Sequence, residues 1–192
     1  MMQTAEEILA ISSEQGFPLY FSLGNIIRGW CISAMGQVLE GIPLILQGVA
    51  SRRSTGANTQ LPFILATLAE AYGMAGQPTE GLNWLAQATQ EVETTQERWG
   101  EAEMHRLRGT LLLSMREHAA AEESYLHALA VARRQTARFW ELRAATNLAR
   151  LWLHQGKQTE ACDLLAPVYG WFTEGFDTPV LQDAKALLDQ LT

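Results

Sequence analysis

Basic residues, cysteines and long apolar runs are scarce in this sequence, and each shortage argues against a class of protein. Lys and Arg number 14 against 21 Asp and Glu, which gives a net charge of −7, whereas nucleic-acid-binding domains usually carry a basic patch and a high pI. The 2 cysteines, Cys31 and Cys162, lie far apart in helical patterns, which fits reduced thiols in a cytosolic protein. The most apolar short run, residues 42–50, is far below the roughly 20 residues that span a bilayer. We therefore expect a cytoplasmic protein with no nucleic-acid partner and no membrane span.

Motifs that would mark an enzyme, a metal site or a secretion signal are also missing. Residues 1–15 lack a basic start followed by an apolar run, so no signal peptide is predicted. The phosphate-binding pattern GxxxxGK followed by Ser or Thr is absent, as are patterns of activated Ser or Cys nucleophiles. No two histidines have the i, i+4 spacing with a third ligand that would favour zinc. The four are His105, His118, His127 and His154. The sequence thus predicts no catalytic residue, no cofactor and no metal site.

What the sequence does contain is a helical pattern that returns at a fixed step. No strand-like alternation is found, and many of the Gly and Pro residues stand at or near joints between helical segments. A first column of small residues, 40 positions apart, consists of Gly29, Ala69, Gly109 and Ala149. A second column, with the same step, consists of Gly41, Gly81, Ala121 and Ala161. Fixed periods of roughly 20–50 residues are typical of solenoids built from stacked helix pairs. The predicted fold class is therefore all-α.

Two further columns show where each first helix ends and what fills the space beside it. Gly36, Gly76, Arg116 and Gly156 stand at the predicted helix ends, where glycine is favoured in a left-handed conformation. Large residues stand at Ile32, Tyr72, Leu112 and Trp152. Small residues stand where helices touch, and large residues fill the gaps between them. This combination predicts that the helix pairs stack tightly. We also expect Trp84, Trp140 and Trp152 to be buried by this packing.

With this 40-residue step, residues 1–192 are predicted to form a single array of repeats. It comprises an N-terminal half-repeat helix (3–15), four repeats (18–57, 58–97, 98–137 and 138–177) and a capping helix (178–191). We expect Thr4 to cap the first helix, and Pro43 to bend the helix that contains it or delay its start. Asp189 occupies the small-residue column in the last helix, so that helix is predicted to carry a polar outer side. A half-repeat without its first helix is expected of a segment from a longer array.

These columns resemble the signature of the tetratricopeptide repeat (TPR). The motif is best seen in Leu68-Ala69, Tyr72, Gly76 and Gly81, and it returns in the repeat at 138–177. The usual TPR has roughly 34 residues, and this repeat is about 6 residues longer, with the surplus in the helix ends and the turn between repeats. The resemblance implies a right-handed superhelical solenoid of antiparallel helix pairs, whose first helices line a concave groove.

A closer resemblance covers nearly all of residues 59–191. The segments 97–107 (ERWGEAEMHRL) and 165–178 (LAPVYGWFTEGFDT) look like the C-terminal TPR region of large bacterial signalling ATPases, some of them fused to an adenylate-cyclase-like domain. This implies a non-enzymatic regulatory module that binds a protein, a peptide, or upstream domains of the same polypeptide. The alternative is a small-ligand-sensing domain that regulates upstream NTPase or cyclase domains.

Counting one turn to either side of the first small column gives the residues expected to face the groove. They are Phe63, Glu70, Glu103, Arg106, Thr110, Arg143, Asn147 and Arg150. Three arginines could bind carboxylates of an acidic peptide or another anionic ligand. The alternative is that these arginines pair with Glu70, Glu103 and Glu141 on adjacent helices.

An apolar cluster near the start of the chain is the second candidate surface. It consists of Phe17, Leu19, Tyr20, Phe21 and Trp30. Left exposed, such a cluster favours self-association, and we consider a homodimer formed through this end. The alternative is that the helix at 3–15 covers it.

Overall fold

A computed structural model of the chain describes residues 1–191. These residues form ten α-helices and no strand, so the all-α prediction is confirmed. The helices are α1 (Met2–Gln15), α2 (Pro18–Ala34), α3 (Val38–Ser54), α4 (Leu61–Met74), α5 (Pro78–Thr95), α6 (Glu101–Ser114), α7 (His118–Arg134), α8 (Arg138–His154), α9 (Gln158–Tyr169) and α10 (Pro179–Leu191). They belong to two compact units, residues 1–98 and 99–192.

In the first unit, small residues let α2 and α3 approach closely. A Cβ placed on Gly29 would lie 2.6 Å from the Gly41 carbonyl oxygen, far inside van der Waals contact. The Ser22 hydroxyl donates to the Gly48 carbonyl at 2.8 Å, which adds a polar link at the same contact. The small residues at 29 and 41 are therefore required by backbone approach, as the columns predict, and Gly48 is required at the same contact.

The second unit has its own core, built from α7 to α10. Buried Tyr125 and Leu129 of α7 meet Leu142 and Leu148 of α8 in one apolar cluster. Helix α10 joins this cluster through one buried side, formed by Leu181, Ala184, Leu187 and Leu191. Its other side is exposed and carries Asp189, which pairs with Lys185.

Left-handed residues end most of the helices, in two columns rather than one. The column at first-helix ends has positive φ throughout, at Gly36, Gly76, Arg116 and Gly156. A second column with positive φ follows the second helices, at Gly16, Gly56, Gln96 and Thr136. Both columns repeat at the 40-residue step, and the second includes two residues that are not glycine.

Several predicted helix ends are wrong by a few residues, each for a local reason. Thr4 does not cap α1, because the helix already begins at Met2. Pro43 lies inside α3 and neither delays its start nor divides it. Helix α6 begins at Glu101, three residues after the start of the predicted repeat 98–137, because Gly100 is its N-cap residue.

The tryptophans predicted to be buried are only half-buried. Trp84 stacks on Tyr72 with ring centroids 6.5 Å apart. Trp152 donates its indole N–H to Glu122 at 2.8 Å, so its polar edge remains near the surface. Among residues 1–191, none of the helices combines the length and apolar character that a membrane crossing requires.

Candidate functional site

A buried carboxylate in the second unit holds two arginines. Glu103 on α6 is 3% exposed, and its Oε2 and Oε1 accept from Nε and Nη2 of Arg106 at 2.9 and 2.7 Å. Arg143 on α8 places Nη1 2.8 Å from the same Oε1. Bidentate pairs of this kind fix the plane of a guanidinium group. Glu103 therefore orients two cationic groups, from neighbouring first helices, at one place.

A second ion pair lies two turns further along α8. Arg150 places Nη2 2.7 Å from Asp183 Oδ1 on α10. Their side chains are 42% and 56% exposed, in contrast to the buried Glu103. Exposed pairs of this kind contribute little to stability, typically about 0–1 kcal/mol.

Helices α6, α8 and α10 border an open cavity of about 430 Å³ between these two ion pairs. Its lining consists of Arg106, Arg143, Thr146, Asn147, Arg150, Pro179, Val180 and Asp183. Three guanidinium groups and one carboxylate thus face the space, together with apolar surface from Pro179, Val180 and side-chain stems. Because a guanidinium has five N–H donors, each arginine can hold more than one acceptor. The cavity has the chemistry of a site for carboxylates or other anions.

Four of the residues expected in a groove come together in this cavity: Arg106, Arg143, Asn147 and Arg150. Thr110 borders them, since its hydroxyl accepts from Asn147 Nδ2 at 3.1 Å. Glu103 lies behind the lining as the partner of two arginines. Phe63 and Glu70 lie on α4 in the first unit, where Glu70 accepts from the Trp30 indole at 3.1 Å. A binding role for these eight residues stays a prediction.

The alternative, in which the groove arginines pair with glutamates on adjacent helices, holds for part of the site. Glu103 pairs with Arg106 and Arg143, as that alternative expects. Glu141 instead accepts from Arg133 and Arg138 at 2.9 and 2.8 Å. Two arginines of the cavity are therefore fixed by a buried carboxylate, and they line the cavity at the same time.

Sequence reasoning missed the contribution of α10 to the lining. Pro179, Val180 and Asp183 were not expected there. A signal existed, because Asp183 lies 40 residues after Arg143 in the repeat step. Extending the count to the capping helix would have placed Asp183 beside the predicted groove residues.

The residues that line this cavity include no histidine. His105 and His127 contact each other across α6 and α7 with ring centroids 5.7 Å apart. Burial lowers the pKa of His105, with nearby Glu101 acting in the opposite direction and His127 in the same one. His154 lines a smaller neighbouring cavity of about 150 Å³. Within residues 1–191, no group of three or more potential metal ligands occurs.

The apolar cluster near the start of the chain is partly exposed. Phe17, Leu19 and Tyr20 are 50%, 37% and 58% exposed, and the rings of Phe17 and Tyr20 meet edge to face at 6.3 Å. Phe21 and Trp30 are half-buried. Helix α1 packs on α2 further along, where Leu9 reaches the position of Gly24. The predicted cover by α1 therefore does not extend over residues 17–20.

Repeated antiparallel helix pairs, with small residues at their contacts and left-handed residues at their ends, define a helical-repeat fold of the TPR-like class. Two solved structures show the same fold. A crystal structure of a Podosopora anserina putative kinesin light chain with nearly identical TPR-like repeats is 21% identical, with a TM-score of 0.66 over 91% of this chain and 86% of that one. A crystal structure of BtubC (BKLC) from P. vanneervenii is 14% identical, with a TM-score of 0.71 over 98% of this chain and 85% of that one.

No protein-family model matches the sequence, and no curated protein sequence matches it significantly. At the identities of the solved structures, the likeness establishes the fold alone. Function is therefore inferred from the cavity and its chemistry.

Proposed function

We propose that this chain is a protein-interaction module that binds an acidic segment of a partner in the cavity between α6, α8 and α10. The observation that carries the proposal is the lining of that cavity by three arginines, two of them held in place by the buried Glu103. Guanidinium groups fixed in advance lose little entropy on binding a carboxylate. Acidic side chains or a chain-terminal carboxylate are the peptide groups that match this lining.

The partner is a separate protein or an upstream domain of the same polypeptide in a larger bacterial signalling protein. Its cytoplasmic setting and its regulatory role are part of this proposal. The resemblance of residues 97–107 and 165–178 to signalling regulators supports it. We assign the chain no catalytic role, no cofactor and no nucleic-acid or membrane partner.

A small-ligand sensor is the second candidate, because about 430 Å³ lies within the size range of small-molecule sites. Such sites are mostly apolar and aromatic with a few placed polar groups. The lining here combines four charged side chains with apolar surface from Pro179, Val180 and side-chain stems, and its residues include no aromatic ring. Its composition therefore favours a charged peptide over a small apolar effector.

Titration with matched peptides tests the proposal. An octapeptide rich in Glu and its Gln counterpart would be titrated into the ¹⁵N-labelled chain and followed by NMR. We expect the Glu peptide to shift signals of Arg150, Asn147 and the Trp140 indole, because Arg143 lies 5.7 Å from the Trp140 ring. Equal binding of the Glu and Gln peptides would rule out recognition of carboxylates.

Substitution of Arg150 tests the location of the site. Arg150→Ala should weaken binding of the Glu peptide about tenfold or more, since charge-assisted hydrogen bonds contribute about 1.5–3 kcal/mol each. Arg108→Ala is the matched control, because Arg108 is exposed on α6 and does not line the cavity. Equal loss in both variants would indicate a general charge effect and contradict the assignment. Circular dichroism should show both variants folded.

We also propose that residues 17–20 form a contact between two copies of the chain. Three exposed apolar side chains within four residues support this surface.

A further inference from the structure

The Asp183 carboxylate lies against an arginine of the cavity, which is the position that a ligand carboxylate would take. It lines the large cavity together with Arg106, Arg143 and Arg150, and it is paired with Arg150 at 2.7 Å. The same two residues also line the smaller cavity of about 150 Å³, beside His154 and Gln190. The Arg150–Asp183 pair therefore lines both cavities, which lie next to each other along α8.

The two carboxylates bound to cavity arginines differ in how easily they can be replaced. Glu103 is 3% exposed and accepts from two arginines, so its removal would leave buried charge without compensation. Asp183 is half-exposed, on the surface of α10, and accepts a hydrogen bond from Arg150. Exchange of an exposed carboxylate for another of the same chemistry has little net cost. Asp183 can thus leave Arg150 without disturbing the buried pairs.

The spacing of the arginines limits the shape of the ligand. Arg143 and Arg150 are seven residues apart on α8, so at 1.5 Å rise per residue their Cα atoms are about 10 Å apart on one side of the helix. Asn147 lies between them and also faces the cavity. In the polyproline II conformation, residues i and i+3 share a side and are about 9 Å apart. Two acidic residues three positions apart in such a peptide match the two arginines.

We propose that the cavity takes an extended peptide with two acidic residues three positions apart, and that the Asp183 carboxylate occupies the second of the two carboxylate positions until that peptide displaces it. The first acidic side chain binds at Arg143 and the second replaces Asp183 on Arg150. Displacement joins the two cavities into one groove along α8. This inference rests on the proposed function, since it specifies the ligand and the control of the same cavity.

The test uses the complete chain and defined probes in NMR titrations. Acetyl-Glu-Pro-Pro-Glu-amide places its acidic residues three positions apart, and acetyl-Glu-Pro-Glu-Pro-amide has the same composition with a different spacing. The Gln-Pro-Pro-Gln analogue removes the charges. Suberate, a free dicarboxylate of similar span, distinguishes a small molecule from a peptide.

The decisive variant is Asp183→Asn, with Asp189→Asn as its matched control. Both remove one negative charge from α10, but Asp189 pairs with Lys185 and does not line either cavity. We expect Asp183→Asn to tighten binding of the Glu-Pro-Pro-Glu peptide about two- to fivefold, the gain available from removing an exposed pair. Asp189→Asn should leave the affinity unchanged. The gain should disappear when Arg150→Ala is added to Asp183→Asn.

Each contrary result overturns a different statement. Equal affinities of the Asp183→Asn and Asp189→Asn variants would refute displacement of Asp183, while preferential binding of Glu peptides would still support the proposed function. Equal affinity for the two Glu-Pro peptides would refute the spacing. Suberate binding as tightly as the peptide would refute a peptide ligand. If the Gln peptide binds both the wild type and Asp183→Asn as well as the Glu peptides do, the proposed function itself fails.

Discussion

Gly109 on α6 leaves no room for a methyl group. A Cβ at this position would lie 2.5 Å from the ring of Tyr125 on α7, and real atoms do not approach so closely. Tyr125 is itself 1% exposed, and its hydroxyl is 3.2 Å from that of Thr110. The ring cannot move away without breaking this contact and disturbing the core of the second unit.

Gly109→Ala should therefore destabilise the protein by about 1–3 kcal/mol, the usual cost of overpacking a core. Chemical denaturation would measure the loss. In a Tyr125→Leu background the same substitution should cost distinctly less, because the shorter side chain does not reach the added methyl group. An equal cost in both backgrounds would show that the Tyr125 ring is not the limiting contact.

At the scale of helices, the column of left-handed residues at 16, 56, 96 and 136 is not occupied by glycine throughout, although glycine is the residue that best tolerates positive φ. Glycine occupies its first two positions, but Gln96 and Thr136 adopt φ of 60° and 53°. Positive φ is disfavoured for residues with a Cβ, and most of all for β-branched ones. Thr136 thus carries backbone strain at the turn between α7 and α8.

Thr136→Gly should raise the free energy of unfolding by about 0.5–1 kcal/mol, because relief of strain exceeds the added flexibility of the unfolded chain. A thermal melt should show an increase of about 1–4 °C for a chain of this length. Thr89→Gly in the middle of α5 is the matched control and should lower the melting temperature, since glycine disfavours helix interiors. A decrease with Thr136→Gly as well would contradict strain at that turn.

These two columns also show which parts of the fold were accessible from sequence. Glycine made the first column visible at three of its four positions, and Arg116 could be assigned by the step alone. The second column went unnoticed, because a glutamine and a threonine carry no signal for positive φ. The start of α6 is inaccessible from the sequence for a related reason, because helical periodicity does not reveal that Gly100 is the N-cap residue.

The cavity illustrates the same limit at the level of packing between helices. The repeat step brought Arg106, Arg143 and Arg150 to one side of their helices, and all three line the cavity. The step did not reveal that Glu103 is buried beneath two of them, because burial depends on how closely α6 and α8 approach. Periodicity selects the side of a helix, whereas the packing of α10 decides which of those residues border the cavity.

At the scale of the whole molecule, exposed apolar surface and net charge have opposite effects on self-association. The chain carries a net charge of −7, which opposes association of identical copies at low salt. Against this, Phe17, Leu19 and Tyr20 present apolar side chains that α1 leaves uncovered. Salt screens the repulsion and leaves the apolar contact intact, so association through this surface should strengthen as salt is added.

Sedimentation velocity over a range of protein concentrations would measure this association at low and moderate salt. We expect a concentration-dependent dimer whose dissociation constant rises about tenfold or more in Phe17→Ser/Tyr20→Ser, a loss of about 1.4 kcal/mol or more at a contact with aromatic anchors. Phe139→Ser/Phe176→Ser is the matched control, since these aromatic residues of the second unit are 48% and 47% exposed. A monomer at all concentrations, or equal weakening by both double substitutions, would exclude residues 17–20 as the contact between copies.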